Sequence, residues 1–310
     1  MVSGETHKQQ AQELALWDQI STTEGAERIE VLYALSHLLY KRDSFTECLQ
    51  VIETLIEIYY KHGGIDCFLR ELIEVYEVKA FCLSNLKRLQ EAAETFEDLA
   101  DLHQLSHDQD GYIRARRAAA REWYAVGEWE RSLQGYIAAK LAIDIDATPF
   151  SMGLDLFNIG MVHAKLGNNE DAIVNYLEAR LKFKAAKNPE YVNWCDNYLA
   201  SVFIDLHNGP EVKYYAKNCF TYSKVAQDLT MEGYACYKLG IGYLLCSQFE
   251  EAEIQFVSSL KILTLQKDKD WLTIVNLYKE LAKVLFALGR NEEANTHLDQ
   301  IKSIEEMIAA

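Results

Sequence analysis

The chain has 310 residues, 49% of them hydrophobic, which is ample for a sizeable core. Three prolines and fifteen glycines leave little material for the turns of a β protein, so long helices are the default reading. A formal net charge of −16, with 47 acidic residues against 31 basic ones, argues against nucleic acid as the main partner, because neutralising phosphates needs a basic stripe.

In chain order, Met1–Gln10 is polar and lacks the apolar core of a signal peptide. A leading helix is expected around Leu14, Leu16 and Trp17, ending at Thr22–Gly25 and capping whatever follows. From Ile29 onward the chain repeats itself. Small residues recur at Ser36, Ala80, Ala120, Gly160, Ala200, Gly240 and Ala282, at steps of 44, 40, 40, 40, 40 and 42. Twelve positions later runs a second row: Cys48, Ala92, Ser132, Ala172, Val212, Ala252 and Ala294. Four further on is a third: Ile52, Phe96, Tyr136, Tyr176, Ala216, Phe256 and Leu298. Self-similarity at one fixed period marks a stacked repeat protein. Seven units are expected, starting near Ile29, Ile73, Ile113, Gly153, Asn193, Gly233 and Val275.

The clearest unit runs from Leu154 to Lys184. Leu156, Ile159, Val162, His163 and Leu166 fall at helical spacing, and Gly167-Asn168-Asn169 breaks the helix. A second helix places Ala172, Ile173, Tyr176, Leu177 and Leu181 on one face, and Asn188-Pro189 closes the unit. At the far end, Ile301, Ile304 and Met307 finish the last helix without an added cap. Ends that expose apolar surface invite self-association, so a homodimer through a repeat end is one expectation.

Ile159-Gly160, Gly167, Ala172 and Tyr176 resemble the hallmarks of the tetratricopeptide repeat, as do Leu239-Gly240, Tyr243, Ala252 and Phe256. The resemblance implies an all-α, right-handed superhelical solenoid of about seven helix-turn-helix repeats over 29–310, behind an N-terminal capping helix over 1–28. The common unit has about 34 residues, and the longer one here should extend the helices and the linkers at Lys61–Asp66, Gln104–Gly111 and Gln266–Asp270. Units of 40 are similar to those of the Rap-type peptide-pheromone receptors and of the Pins/LGN-type adaptors.

By that resemblance, the inner surface is lined by the first helix of each unit. The third unit then contributes Arg114, Arg117, Arg121 and Tyr124, and the fourth Leu154, Phe157, Asn158, Met161 and Lys165. The fifth contributes Trp194, Asn197, Tyr198, Ser201 and Asp205. The sixth contributes Tyr234, Tyr237 and Lys238, and the seventh Asn276, Lys279, Glu280 and Lys283. These positions hold seven Lys or Arg and two acids in an acidic chain. A basic, aromatic inner face suits an acidic or carboxylate-bearing peptide or protein tail. In the Rap-type receptors, asparagines of the first helix grip the peptide main chain, which carries over to Asn158, Asn197 and Asn276. The same residues also admit a structural reading. A one-residue change of register moves Trp194 and Tyr237 into the core, and Arg114, Arg116, Arg117 and Arg121 could form a solvated face pairing with Glu74, Glu77 or Glu122.

No catalytic site, metal site or cofactor is expected. Gly240-Ile241-Gly242 lies inside a helix and is no phosphate loop. Asp108, Asp110 and Gly111 lack the ligand ladder of a calcium loop. His103 and His107 stand four apart, yet the surrounding Ser-Asp run favours a loop. A Rap-type phosphatase would need an N-terminal bundle with a catalytic glutamine, a role that Gln9, Gln10 and Gln12 do not fit. No DNA-binding motif precedes the repeats. Seven cysteines, odd in number and without a Cys-x-x-Cys pair, read as reduced thiols in a cytoplasmic protein. No apolar run approaches the ~18 residues that span a bilayer. Two functions stay open: a peptide-binding module acting through its inner face as a peptide-responsive regulator, and a structural scaffold acting through its outer face and ends.

Overall fold

The computed structural model describes residues 2–143 and 148–309, with side chains for 11–143 and 148–308. The side chains of Gln9 and Gln10 lie outside these. The described residues form fifteen helices and no strand. After α1 (Val2–Ile20) they alternate as A and B helices of successive pairs: α2 (Gly25–Lys41) with α3 (Phe45–Lys61), α4 (Ile65–Asn85) with α5 (Leu89–Leu105), and α6 (Gln109–Val126) with α7 (Trp129–Leu141). Then come α8 (Pro149–Lys165) with α9 (Asn169–Ala185), α10 (Pro189–Asp205) with α11 (Gly209–Ala226), α12 (Leu229–Leu245) with α13 (Phe249–Thr264), and α14 (Trp271–Ala287) with α15 (Asn291–Ala309). The chain divides into two compact units, Met1–Ala147 and Thr148–Ala310.

The length of the repeat is spent on helix. Both α8 and α9 have 17 residues, and the connections His62–Gly64 and Ser106–Asp108 are shorter than the expected linkers. The long first step has a local cause. α4 opens with an added turn, Ile65–Phe68, that ends where Phe68 leaves helical dihedrals (φ −130°, ψ 29°). The step of 42 arises in the longer connection Leu265–Asp270.

The three sequence rows meet inside each helix pair. A Cβ on Gly160 would lie 2.9 Å from the Tyr176 ring, and one on Gly240 2.5 Å from the Phe256 ring. Small residues on the A helix are therefore what lets the large B-helix residue seat, as close packing requires. Ser132 and Cys48, of the middle row, donate to the carbonyls of Ala120 and Ser36 at 2.8 and 3.3 Å. Every A-to-B turn closes the same way: Asp43, Lys87, Gly127, Gly167, His207, Ser247 and Gly289 all have positive φ. The next residue then donates to a carbonyl five back, as Asn168 N–H does to His163 O at 2.9 Å. The later A helices start on side-chain caps, with Asp108, Thr148, Asn188, Asp228 and Asp270 each accepting from a backbone N–H three residues on.

Each unit has its own core. In the first, Leu35, Leu39, Ile52, Leu55 and Leu72 form one cluster, and Phe96, Ala100, Ala119 and Trp123 another. Leu16 and Ile20 of α1 pack against the former, and Glu13 pairs with Arg42. Leu14 and Trp17 of the same helix are exposed. In the second unit Phe157, Tyr176, Phe183 and Leu199 form one cluster, and Phe256, Leu277, Leu281 and Val284 the other. Leu177 and Leu181 do not share the buried face of Tyr176. They are 37% and 65% exposed, because one and five residues beyond Tyr176 a helix has turned towards solvent. All seven cysteines are free; five are buried, Cys246 is part-exposed and Cys67 is exposed.

Candidate functional site

In the second unit, α8, α10, α12 and α14 lie side by side in that order. Residues at one repeat register therefore form rows across four helices. One row holds Leu154, Trp194, Tyr234 and Asn276, and the next Phe157, Asn197, Tyr237 and Lys279. A third holds Asn158, Tyr198, Lys238 and Glu280, and a fourth Met161, Ser201, Ile241 and Lys283.

The structure gives these side chains different jobs. Phe157 is only 4% exposed and belongs to the core. Its ring lies 5.0 Å from Tyr198 and 6.2 Å from Trp194, so it forms the floor under them rather than a contact surface. Trp194 keeps 38% of its surface exposed and leans on Tyr191 at 5.0 Å. Asn158, Tyr198, Tyr234, Tyr237 and Asn276 are part-exposed, while Lys165 and Lys279 are exposed. Tyr234 donates to Asp270 Oδ2 at 2.9 Å, tying α12 to the start of α14. Tyr237 sits 6.1 Å from Phe256, and burial pushes its phenol up to about 12.

Lys238 is the least expected member. Its Nζ donates to the Asn197 carbonyl at 2.7 Å, to Asn197 Oδ1 at 2.6 Å and to Ser201 Oγ at 2.7 Å. The residue keeps some exposed surface, yet the ammonium itself is enclosed, and this desolvation pushes its pKa down to about 8. Asn197 thus has its oxygens engaged by α12 rather than open to solvent. Lys283 is similarly taken up, by Glu280 at 2.7 Å. Under this face, Arg180 of α9 holds Asp196 of α10 through two bonds, at 2.6 and 3.2 Å. Asp196 is nonetheless pushed upward, because burial outweighs the guanidinium. Sequence gave no signal for this pair, whose members lie on different repeats.

The three arginines belong to the first unit. Arg114 is exposed, Arg117 is part-buried, and Arg121 pairs with Glu122 at 3.0 Å. Arg116 lies 3.1 Å from Asp101 and over the Tyr112 ring. At the same register the first two repeats carry acids: Glu30 on α2, and Glu74 and Glu77 on α4. Glu74 accepts a hydrogen bond from Tyr33, and a cavity between the two helices is lined by Tyr33, His37, Glu74 and Glu77. Carrying the lining positions back into those repeats exposes this sign reversal. The face is not uniformly basic.

His103 and His107 do not share a helix face. His103 is buried, 2.9 Å from Asp108, whereas His107 is the left-handed residue of the turn. Among the described residues no group of three potential ligands is placed to hold a metal ion. None of their helices is long and apolar enough to cross a membrane.

Helix pairs of about forty residues, stacked A beside A with small residues under aromatic ones, define a tetratricopeptide-type α-solenoid. Solved structures share this fold. A signal transduction ATPase with numerous domains from Pyrococcus horikoshii, which has a tetratricopeptide repeat sensor, superposes with a TM-score of 0.69 at 17% identity, over 90% of this chain and 42% of that one. The apo quorum sensor NprR from B. thuringiensis gives 0.56 at 15% identity, over 97% and 84%. A Rap protein complexed with competence and sporulation factor gives 0.54 at 12% identity, over 90% and 77%. No protein-family model matches the sequence, and neither does any curated protein.

Proposed function

We propose that this protein is a non-enzymatic binding module that holds an extended peptide or protein tail along the A-helix face of residues 148–309. One observation carries the reading: Trp194, Tyr198, Tyr234, Tyr237 and Asn276 stand in register on adjacent helices and keep exposed surface above a packed aromatic floor. Rings of this kind supply side-chain pockets, and amides both donate to and accept from a main chain. With helices about 8–10 Å apart and an extended chain rising about 3.3 Å per residue, four helices suit a segment of about eight residues. The Rap protein complexed with competence and sporulation factor and the quorum sensor NprR support a peptide-responsive role by analogy of fold.

The test is selection from a random octapeptide library. Wild type should enrich a defined set, and Trp194→Ala or Asn276→Ala, folded by circular dichroism, should bind it about tenfold more weakly or worse. An unenriched library, or equal binding by the variants, would remove the A-helix face as the working surface.

A second reading has its own observation. Val174, Tyr214 and Ile254 occupy one register on the B helices α9, α11 and α13 and are 55%, 55% and 60% exposed. An apolar row of this kind on the B helices suits a scaffold that assembles through that face. Sedimentation that shows a larger assembly, dispersed by Val174→Glu/Ile254→Glu, would favour it. A monomer at all concentrations would count against it.

A further inference from the structure

Lys238 has three protons, and all three go to neutral oxygens: a backbone carbonyl, an amide carbonyl and a hydroxyl. No described carboxylate lies within ion-pair distance of it. The titratable groups that act on it are Cys219 of α11 and Asp205 at the end of α10. Burial pushes the Cys219 thiol up to about 12, so it is neutral near pH 8, and Asp205 is exposed and makes no ion pair. A cation enclosed without a counter-ion is costly to bury. This one stands at a lining position, held by two neighbouring lining residues whose side chains remain part-exposed. An anion that arrived there would meet a site already charged and already desolvated.

Resting on the peptide-binding reading above, we infer that Lys238 is the residue that reads ligand charge: the bound segment brings a carboxylate that replaces Asn197 Oδ1 on the ammonium. The exchange conserves hydrogen bonds. The proton now given to Asn197 Oδ1 goes to the ligand oxygen, while Asn197 O and Ser201 Oγ keep theirs. The Asn197 amide is released to pair with the ligand main chain. Charge recognition and main-chain capture are coupled through this one side chain. A single ammonium is balanced by a monoanion, which selects a carboxylate from Asp, Glu or a chain terminus. Lys238 is the enclosed cation of these rows: Lys279 is exposed, where solvent screens its charge, and Lys283 pairs with Glu280 at the surface.

Three octapeptide pools test this: one with central Asp or Glu and an amidated end, one without acids but with a free C-terminus, and one with Asn or Gln and an amidated end. Wild type should bind members of an acid-bearing pool about tenfold or more tightly than the neutral pool, and Lys238→Met should abolish that preference. Which acid-bearing pool wins tells a side-chain carboxylate from a terminal one. Calorimetry of the best binder at pH 8, in buffers of different ionisation heat, should show uptake of about half a proton, because the free ammonium sits near its midpoint there. Should Lys238→Met fail to fold, this proton count on wild type decides alone. Equal binding of all three pools, or acid binding without proton uptake, overturns the role of Lys238 and leaves the binding face standing. Binding of none overturns both.

Discussion

Substitutions at the A-to-B turns isolate backbone conformation from packing. All seven turns place a residue with positive φ at the same register, but only Gly127, Gly167 and Gly289 are glycine. At Gly167, φ is +76° and an added Cβ would meet nothing within 4 Å. Gly167→Ala therefore introduces no clash, only a side chain in the left-handed region, at about 1–2 kcal/mol. The stiffer unfolded chain offsets about 0.4–1 kcal/mol of that. The net loss should be about 1 kcal/mol. The reverse substitution runs the argument backwards. Lys87, His207 and Ser247 hold φ of 62°, 53° and 57°, and all three are exposed. Each change to glycine should stabilise by about 0.5–1 kcal/mol, and the three should add, being far apart. Urea denaturation followed by far-ultraviolet circular dichroism reads both series as shifts of midpoint at constant slope. A neutral Gly167→Ala, or a destabilising Lys87→Gly, His207→Gly and Ser247→Gly, would show that these turns are held by contacts rather than by dihedral preference.

Other substitutions probe packing and charge. Gly240→Ala, inside a helix, should destabilise by about 1–3 kcal/mol because its Cβ falls 2.5 Å from the buried Phe256 ring; an exposed helical glycine would instead gain from alanine, and the same denaturation assay tells them apart. Arg180→Ala strands Asp196, whose side chain is 3% exposed, and should cost about 3–5 kcal/mol, largely recovered in Arg180→Met/Asp196→Leu. Lys238 titrates near 8 in the fold against 10.5 ordinarily, so above pH 8 the unfolded chain holds the extra proton. The stability of wild type relative to Lys238→Met should therefore rise between pH 8 and 10, by about 2–3 kcal/mol, the penalty applying in full below pH 8. A difference that stays flat with pH would mean that the ammonium is well solvated.

The repeat was legible because it is a packing rule written locally. A small residue, a second twelve positions on and a larger residue sixteen on must meet whenever two adjacent helices cross, so Gly160, Ala172 and Tyr176 carry the same message as Gly240, Ala252 and Phe256. Helix ends were legible where glycine or proline marks them, as at Gly167 and Pro189. They were not legible at Lys87 or Ser247, where a residue without a left-handed preference takes that conformation because the helices on either side fix it. The turn added at Ile65–Phe68 was visible only as an odd step of 44.

The candidate face divides along the same line. Register alone put Trp194, Tyr198, Tyr234, Tyr237 and Asn276 on neighbouring helices, because a constant repeat length returns each position to the same side of its helix. Register does not say how deep a side chain lies or what it meets there. Phe157 shares a row with Asn197 yet is core, since Trp194 and Tyr198 of the next repeat close over it. Lys238 and Lys279 both counted as basic residues. One is enclosed against Asn197 and Ser201, 41 and 37 positions earlier in the chain, and the other faces water. Periodicity determined the fold, being a property of neighbours along the chain. The partner of each charge was decided only when successive repeats packed, because burial and pairing are set by distances between residues that the sequence keeps far apart.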